Sequence, residues 1–408
     1  MTILQTNAQS SAGTLENQQI HFTPPKNHRF LFLDALRGIA ALFVVAYHFP
    51  NVMTSSFAAN GLLAVDFFFC LSGFVIAFSY EHRLSETLSF KDFTVARLIR
   101  LYPIYALGSL IGLLSLILVQ HFVFHAVSWA ALSSLSALAL FLWPTRLSSL
   151  HGTDNYPLNP PAWSLFCEIA ANFAYALLIK LRMARTTVLL CVITGSLALL
   201  VNAVVHGNSL DAGGRQSDFS LGLARVTFSF FLGVLICRLY RYRPKNADAT
   251  WISLLVPMII TLLLIGILNS PLFWMRTETF RLVAITLCFP AMVYYGSLAR
   301  LPHSFTRLTT ALGELSYPLY LLHIPFVTLL RARRLLQFTA THAMLVHGLV
   351  LCTVAILAFI SWQVGERVDL PIRRALTRRY NSYKQAKLTP ISSQPSAPEI
   401  TTAQHDEA

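Results

Sequence analysis

The chain has 408 residues, of which 55% are hydrophobic and only 12% are charged, and its mean hydropathy is +0.57. A soluble domain usually carries about 25% charged residues, so this chain has too few polar groups to cover a surface that faces water. Composition therefore excludes a soluble globular protein, a disordered chain, a coiled coil and a disulfide scaffold. It indicates a protein whose solvent is a lipid bilayer.

The net charge of +13 does not indicate a nucleic-acid partner, because the basic residues lie in short clusters between apolar runs. Cytoplasmic loops of membrane proteins have this composition. The six cysteines lie inside apolar stretches, and no pair has the spacing of metal ligands. We therefore predict neither a disulfide framework nor a metal site.

Eleven apolar runs are candidates for membrane spans, since a span needs about 20 mostly apolar residues. They are 31–50, 62–80, 101–120, 128–143, 162–180, 186–205, 220–239, 251–269, 281–299, 311–330 and 343–364. The run 128–143 is short and rich in serine, which favours a re-entrant or peripheral segment. The predicted fold is all-α, a polytopic transmembrane helical bundle of about ten spans plus one possible re-entrant segment.

Basic loops between the apolar runs set the orientation of the chain in the membrane. If all of these loops are cytoplasmic, an even number of spans must separate neighbouring basic loops, and this holds once 128–143 is not counted as a span. Both termini are then cytoplasmic. We predict a polar N-terminal tail at 1–29, without the pattern of a cleaved signal, a transmembrane domain at 30–380 and a disordered C-terminal tail at 381–408.

Ionisable residues inside spans are functional candidates because they are costly in lipid. Arg37 and His48 lie on one face of the first span, since eleven helical steps return to within about 20° and rise about 16 Å. Asp66, in the second span, has a depth similar to that of His48, and Ser72 with Gly73 lies deeper. A lipid-facing arginine anchor, a hydrogen-bonded histidine and a helix-packing glycine are the structural alternatives.

Three further segments carry polar groups at helical spacing. Arg97 and Arg100 share a face and suit a bidentate phosphate site, although an ordinary pair of cytoplasmic anchors has the same pattern. Further along the chain, polar residues share one side of the fourth span and one side of the ninth, where packing with hydrogen bonds is the alternative. These residues are Ser164, Glu168, Asn172, Tyr175, Ser316, Tyr320 and His323.

By depth, the arginines gather at the cytoplasmic face, whereas His48, Asp66 and Glu168 gather further out. This arrangement suits a donor that carries phosphate and enters from the cytoplasm, with an acid/base histidine acting on a group presented from the far side.

Five segments, in the same order, resemble the membrane acyltransferase-3 family, which O-acylates surface sugars, peptidoglycan or small hydrophobic acceptors. The segments are the Arg37–His48 pair with ten residues between, VDFFFCLSGF at 65–74, RLIR at 97–100, PPAWSLFCE at 160–168 and GELSYPLYLLH at 313–323. The departures are small: Cys70, Cys167 and Ile169 stand where the family more often has other residues.

The resemblance implies ten spans, acyl-CoA (most often acetyl-CoA) as a co-substrate without a permanently bound cofactor, and transfer to a hydroxyl of a carbohydrate or lipid-linked glycan. It also implies a bacterial inner membrane protein surrounded by lipid. The catalytic histidine maps to His48, and the arginines that hold the phosphates of the coenzyme map to Arg97 and Arg100. The expected substrate-binding residues are Arg37, Ser72, Arg97, Arg100, Trp163, Ser164, Tyr320 and His323.

We expect His48 to act as a general base, with Asp66 or Glu168 orienting the imidazole as a triad carboxylate does. A covalent acyl-histidine stays open.

Two other interpretations are weaker. His206 and Asp211 have the spacing of a glycerolipid acyltransferase motif but lie in an outer loop. A transporter or flippase would also bury charged residues, but corresponding broken helices in two halves are not seen.

Overall fold

The computed structural model describes residues 29–49, 58–122, 125, 127–145, 154–242, 252–269, 277–332 and 343–388. Within these ranges the chain forms helices, together with one isolated β-bridge between Asp154 and Arg215. The helices are α1 (Leu31–Tyr47), α2 (Ala64–Glu86), α3 (Phe90–Phe122), α4 (Trp129–Leu140), α5 (Ala162–Lys180), α6 (Thr186–Val205), α7 (Phe219–Tyr242), α8 (Ile252–Asn269), α9 (Thr277–Val283), α10 (Phe289–Leu298), α11 (Thr306–Ala332), α12 (Ala343–Val364) and α13 (Leu370–Leu388).

The predicted all-α membrane fold is confirmed. In the described part of the chain, seven helical stretches are long and apolar enough to cross a membrane. Six of them correspond to α2, α3, α5, α6, α7 and α9 with α10, and the seventh, Leu351–Ala386, runs from within α12 into α13. Helices α1, α8 and α11 occupy the positions of the other three predicted spans. The total of ten spans stays a prediction.

The doubtful run at 128–143 contains only α4, a helix of 12 residues. At 1.5 Å per residue it is about 18 Å long, which is too short for a hydrocarbon core of about 30 Å. The C-terminal boundary differs from the prediction, because α13 continues to Leu388, past the expected start of the tail at 381. The remaining tail residues, 389–408, and residues 1–28 lie outside the described ranges.

Close helix pairs build the core. Helix α1 packs along α11, α2 along α7, and α3 along α11. At the crossing of α2 and α7, a Cβ built on Gly73 would lie 1.9 Å from the carbonyl oxygen of Phe230, and a Cβ on Gly233 would lie 2.0 Å from that of Cys70. Gly73 is therefore a position of close backbone approach, as its sequence context suggested.

Two helices widen where a proline follows. A π-helical turn at Ala284–Cys288 joins α9 to α10 just before Pro290, and another at Gly365–Asp369 joins α12 to α13 just before Pro371. A proline ring collides with the carbonyl of the preceding turn and offers no N–H, so a wider turn accommodates it. Gly365 lies against Pro318 of α11, which places the second π turn beside the site described next.

Candidate active site

Three adjoining cavities follow the helices that carry the predicted site residues. The arginine cavity, of about 490 Å³, is lined by Arg37, Arg97, Arg100 and Arg373 among others. The central cavity, of about 120 Å³, shares Arg37, Arg97 and Arg100 with it and extends to Ser72, Glu168 and Tyr320. The histidine cavity, of about 130 Å³, shares Val65 and Tyr320 with the central cavity and contains His48. Predicted residues from both ends of the site thus line one series of cavities.

The arginine cavity is rich in positive charge. Six arginines line it, against four acidic residues. Arg37 is held in place, because its guanidinium donates to the Ser316 hydroxyl at 2.8 Å and to the Gly313 carbonyl at 2.9 Å. It also lies 3.1 Å from a carboxylate oxygen of Asp34. Arg100 is exposed and faces the same space. The cavity has the charge and the planar donors that a phosphate-bearing ligand needs.

Glu168 lines the central cavity together with the arginines. Its Oε1 accepts a hydrogen bond of 2.6 Å from the Ser72 hydroxyl and one of 3.4 Å from Arg97. The polar stripe of α5 turns Glu168 into the central cavity, where the positive guanidinium of Arg97 is nearby. That Glu168 orients the imidazole of His48 stays a prediction.

Asp66 also binds an arginine. Arg225 of α7 donates to both carboxylate oxygens, at 3.2 Å and 2.6 Å, and to the carbonyl of Ala212 at 2.6 Å. Both side chains are buried. That Asp66 orients the imidazole of His48 stays a prediction. Sequence reasoning missed Arg225. The signal was present, since an arginine inside a predicted span needs a buried acidic partner.

His323 takes the position beside His48 that a carboxylate was expected to take. Nδ1 of His48 lies 2.8 Å from the carbonyl oxygen of Val44 and 3.3 Å from Nε2 of His323. Nδ1 of His323 lies 3.1 Å from the carbonyl oxygen of Leu319. Because a carbonyl only accepts, both Nδ1 atoms carry the proton. The hydrogen bonds therefore assign the lone pair of His48 to Nε2, the nitrogen a general base would use.

Tyr320 and Ser164 lie between the arginines and His48. The two hydroxyl oxygens are 2.7 Å apart, and the Ser164 hydroxyl also lies 2.9 Å from the carbonyl oxygen of Pro161. The ring of Tyr320 packs edge-on against Phe68, with centroids 5.8 Å apart. Prolines at the start of α5 suit the first helical turn and bring Ser164 to this depth.

Trp163 forms one wall of the histidine cavity. The Arg225 guanidinium lies 5.6 Å from its ring centroid, and the loop at 213–214 packs on the ring. Gly213 has φ +122, and a Cβ there would lie 2.3 Å from the ring of Trp163, so only glycine fits. Trp163 thus lines a cavity of the candidate site, and its contact with substrate stays a prediction.

The alternative pair His206 and Asp211 does not assemble. Nδ1 of His206 lies 2.8 Å from the Asn202 carbonyl at the end of α6, whereas Asp211 accepts a hydrogen bond of 3.1 Å from the Tyr47 hydroxyl. Asp211 lines the histidine cavity instead. The hydrogen bonds of these two residues give no support to a glycerolipid acyltransferase site in this loop.

The helical bundle, the adjoining cavities and the half-buried His48 are features expected of a membrane acyltransferase. The comparison with known families agrees. The family model described as an acyltransferase domain, Acyl_transf_3, matches residues 30–362. The chain therefore belongs to this family of acyltransferase domains. The expected resemblance is confirmed.

Three relatives illustrate the similarity. "Protein 2 in picA locus" of Rhizobium radiobacter is 36% identical over 166 residues, which are 38% of this chain and 83% of the relative. "Putative peptidoglycan O-acetyltransferase YrhL" of Bacillus subtilis is 26% identical over 233 residues, or 55% of this chain and 35% of the relative. "Putative O-acetyltransferase SACOL0978" of Staphylococcus aureus is 23% identical over 336 residues, which are 76% of this chain and 53% of the relative. No solved structure matches the chain.

Proposed function

We propose that the protein transfers an acyl group, most simply acetyl, from acyl-CoA to a hydroxyl of a carbohydrate or lipid-linked glycan. The observation that carries the proposal is the series of cavities between the arginines and His48. Acyl-CoA can bring its thioester to His48 only if its phosphates bind at the arginine end of this series of cavities while its acyl group extends past Tyr320. The names of two relatives, each a putative O-acetyltransferase, favour acetyl as the group transferred.

The arginine cavity is proposed to hold the nucleotide end of the coenzyme. Phosphates bind strongly to guanidinium groups, and Arg97 and Arg100 extend into both the arginine and the central cavity. The pantetheine arm would then run through the central cavity, past Ser72 and Glu168. The apolar residues Phe68 and Leu165 that line this cavity suit the arm and exclude water from the thioester.

His48 is proposed as the general base. Its Nε2 would take the proton of the acceptor hydroxyl as the acceptor oxygen attacks the thioester carbon. The resulting imidazolium would be stabilised at Nδ1 by the Val44 carbonyl and by Nε2 of His323. His323 thus has the orienting role that a triad carboxylate plays elsewhere. Asp66 and Glu168 support the site through Arg225 and Arg97.

The acceptor is proposed to enter through the histidine cavity. Carboxylates of Asp154 and Asp211 line it, together with the indole of Trp163. Carboxylates accept hydrogen bonds from hydroxyl groups, and an aromatic ring can stack on an apolar sugar face. With the arginine cavity on the cytoplasmic side of a bacterial inner membrane, donor and acceptor would approach from opposite faces.

The test is release of free CoA by the purified full-length chain in lipid nanodiscs, given radiolabelled acetyl-CoA and a bacterial envelope extract. We expect CoA release together with label in the extract that mild alkali removes, as an ester requires. His48→Ala should abolish both. His206→Ala is the matched control, because His206 ends α6 outside the cavities, and it should behave as wild type. A transporter or flippase would release no CoA, and that result would overturn the proposal.

A further inference from the structure

Tyr320 occupies the boundary between the two substrate approaches. It lines both the central cavity and the histidine cavity, and among the described residues only Val65, which has no hydrogen-bonding side chain, does the same. Its ring lies against Phe68 on one side and 6.0 Å from the centroid of His323 on another. A thioester carbonyl attacked by an oxygen that His48 activates must lie at this boundary. Among the described residues, Tyr320 therefore has the only polar side chain that lines both cavities and can meet that carbonyl.

The hydroxyl pair of Tyr320 and Ser164 has two hydrogen-bonding states. Ser164 can donate its single proton to the Pro161 carbonyl at 2.9 Å, in which case Tyr320 donates to Ser164. Alternatively Ser164 donates to Tyr320 at 2.7 Å, and the Tyr320 proton becomes available to the cavity. In the first state both hydroxyl protons have acceptors. In the second state they also do, once an oxygen in the cavity accepts the Tyr320 proton. The change needs only rotation of two O–H bonds, so it costs little.

We propose that Tyr320 donates the hydrogen bond that stabilises the oxyanion of the transfer reaction, and that Ser164 positions it; this assignment rests on the proposed function. As the acceptor oxygen bonds to the thioester carbon, His48 takes its proton and the carbonyl electron pair moves onto the carbonyl oxygen. That anionic oxygen accepts the Tyr320 proton in a hydrogen bond. When the pair returns, the C–S bond breaks, and the thiolate of CoA takes the proton from His48.

An oxyanion donor acts on the transition state more than on the bound substrate, and this difference defines the experiment. Tyr320→Phe keeps the ring contacts and removes only the hydroxyl. With envelope extract as acceptor, we expect kcat to fall about 100-fold, while the KM for acetyl-CoA stays within about twofold. Affinity for acetonyl-CoA, a ketone analogue that cannot transfer its acyl group, should also stay unchanged.

The matched control is Tyr105→Phe. Tyr105 is a buried tyrosine of α3 whose hydroxyl donates to the Ala139 carbonyl at 2.7 Å, and it lines neither of the two cavities. This variant should keep kcat within about twofold of wild type. Loss of a buried tyrosine hydroxyl alone therefore would not account for the defect.

A double-mutant cycle tests the positioning role of Ser164. Ser164→Ala should lower kcat by less than about tenfold, because Tyr320 keeps its proton, and it should have no further effect when added to Tyr320→Phe. A kcat for Tyr320→Phe within threefold of wild type, a loss confined to KM, or multiplicative losses in the cycle would overturn the assignment. If the wild-type chain releases no CoA, the proposed function itself fails, and the two failures are thus distinguishable.

Discussion

Nε2 of His323 lies 3.3 Å from Nδ1 of His48, and the two imidazole rings have centroids 5.0 Å apart. The residues are 275 positions apart in the chain, and the packing of α1 along α11 brings them together. His323 is fully buried and donates through Nδ1 to its own helix, so its Nε2 can only accept. This contact fixes the tautomer of His48.

Replacing His323 tests its function as a hydrogen-bond acceptor. His323→Leu removes the acceptor, and we expect kcat to fall roughly 10- to 100-fold, because a hydrogen bond to a charged group contributes about 1.5–3 kcal/mol. His323→Asn offers an amide oxygen and should recover at least part of the loss. Steady-state kinetics with acetyl-CoA measure both variants. Equal activity of the two variants would show that the acceptor atom has no role.

Arg97→Ala and Arg100→Ala should weaken binding of acyl-CoA. Each removes one charge-assisted contact with phosphate, so we expect KM for acetyl-CoA to rise about 10- to 100-fold with a smaller change in kcat. Wild type should also bind more weakly at high salt, since screening reduces such contacts. Arg185→Ala, at the exposed start of α6, is the matched control and should leave KM unchanged. An unchanged KM in both cavity variants would contradict the donor site.

Gly73→Ala should prevent correct packing of α2 on α7. The added methyl would lie 1.9 Å from a backbone oxygen, which cannot move aside as a flexible side chain can. We expect little monodisperse protein and a lower midpoint of thermal unfolding in detergent. Gly266→Ala in α8 is the control, because its added methyl would contact nothing within 4 Å. Alanine is also the better helix former there, by roughly 0.5–1 kcal/mol. Equal stability of the two variants would refute the close approach.

Removing one partner of the Asp66–Arg225 ion pair should destabilise the protein more than removing both partners. Asp66→Ala leaves a buried guanidinium without its carboxylate, which we expect to cost roughly 3–5 kcal/mol. The double variant Asp66→Leu with Arg225→Met leaves no buried charge and should recover most of that stability. Thermal inactivation half-lives of the purified variants provide the comparison. A double variant less stable than Asp66→Ala would show that the pair itself is required for folding.

The amino-acid sequence by itself determined the class of protein and supplied the candidate site residues. The composition indicated a membrane protein. Apolar runs of span length then predicted helices, because in lipid the backbone can form hydrogen bonds only with itself. Helical periodicity placed Arg37 and His48 on one face and aligned Ser164 with Glu168. By depth, Glu168 was expected with His48, whereas in the structure it lines the central cavity together with Arg37, Arg97 and Arg100.

Only the tertiary structure decided which groups pair. Spacing along a helix gives a face and a depth, but the partner on that face comes from another helix whose rotation the sequence does not specify. Asp66 therefore binds Arg225 and Glu168 binds Arg97, while His48 contacts His323. Buried charges take the nearest opposite charge, because an unpaired ion in a medium of low dielectric constant is far more costly than a neutral imidazole.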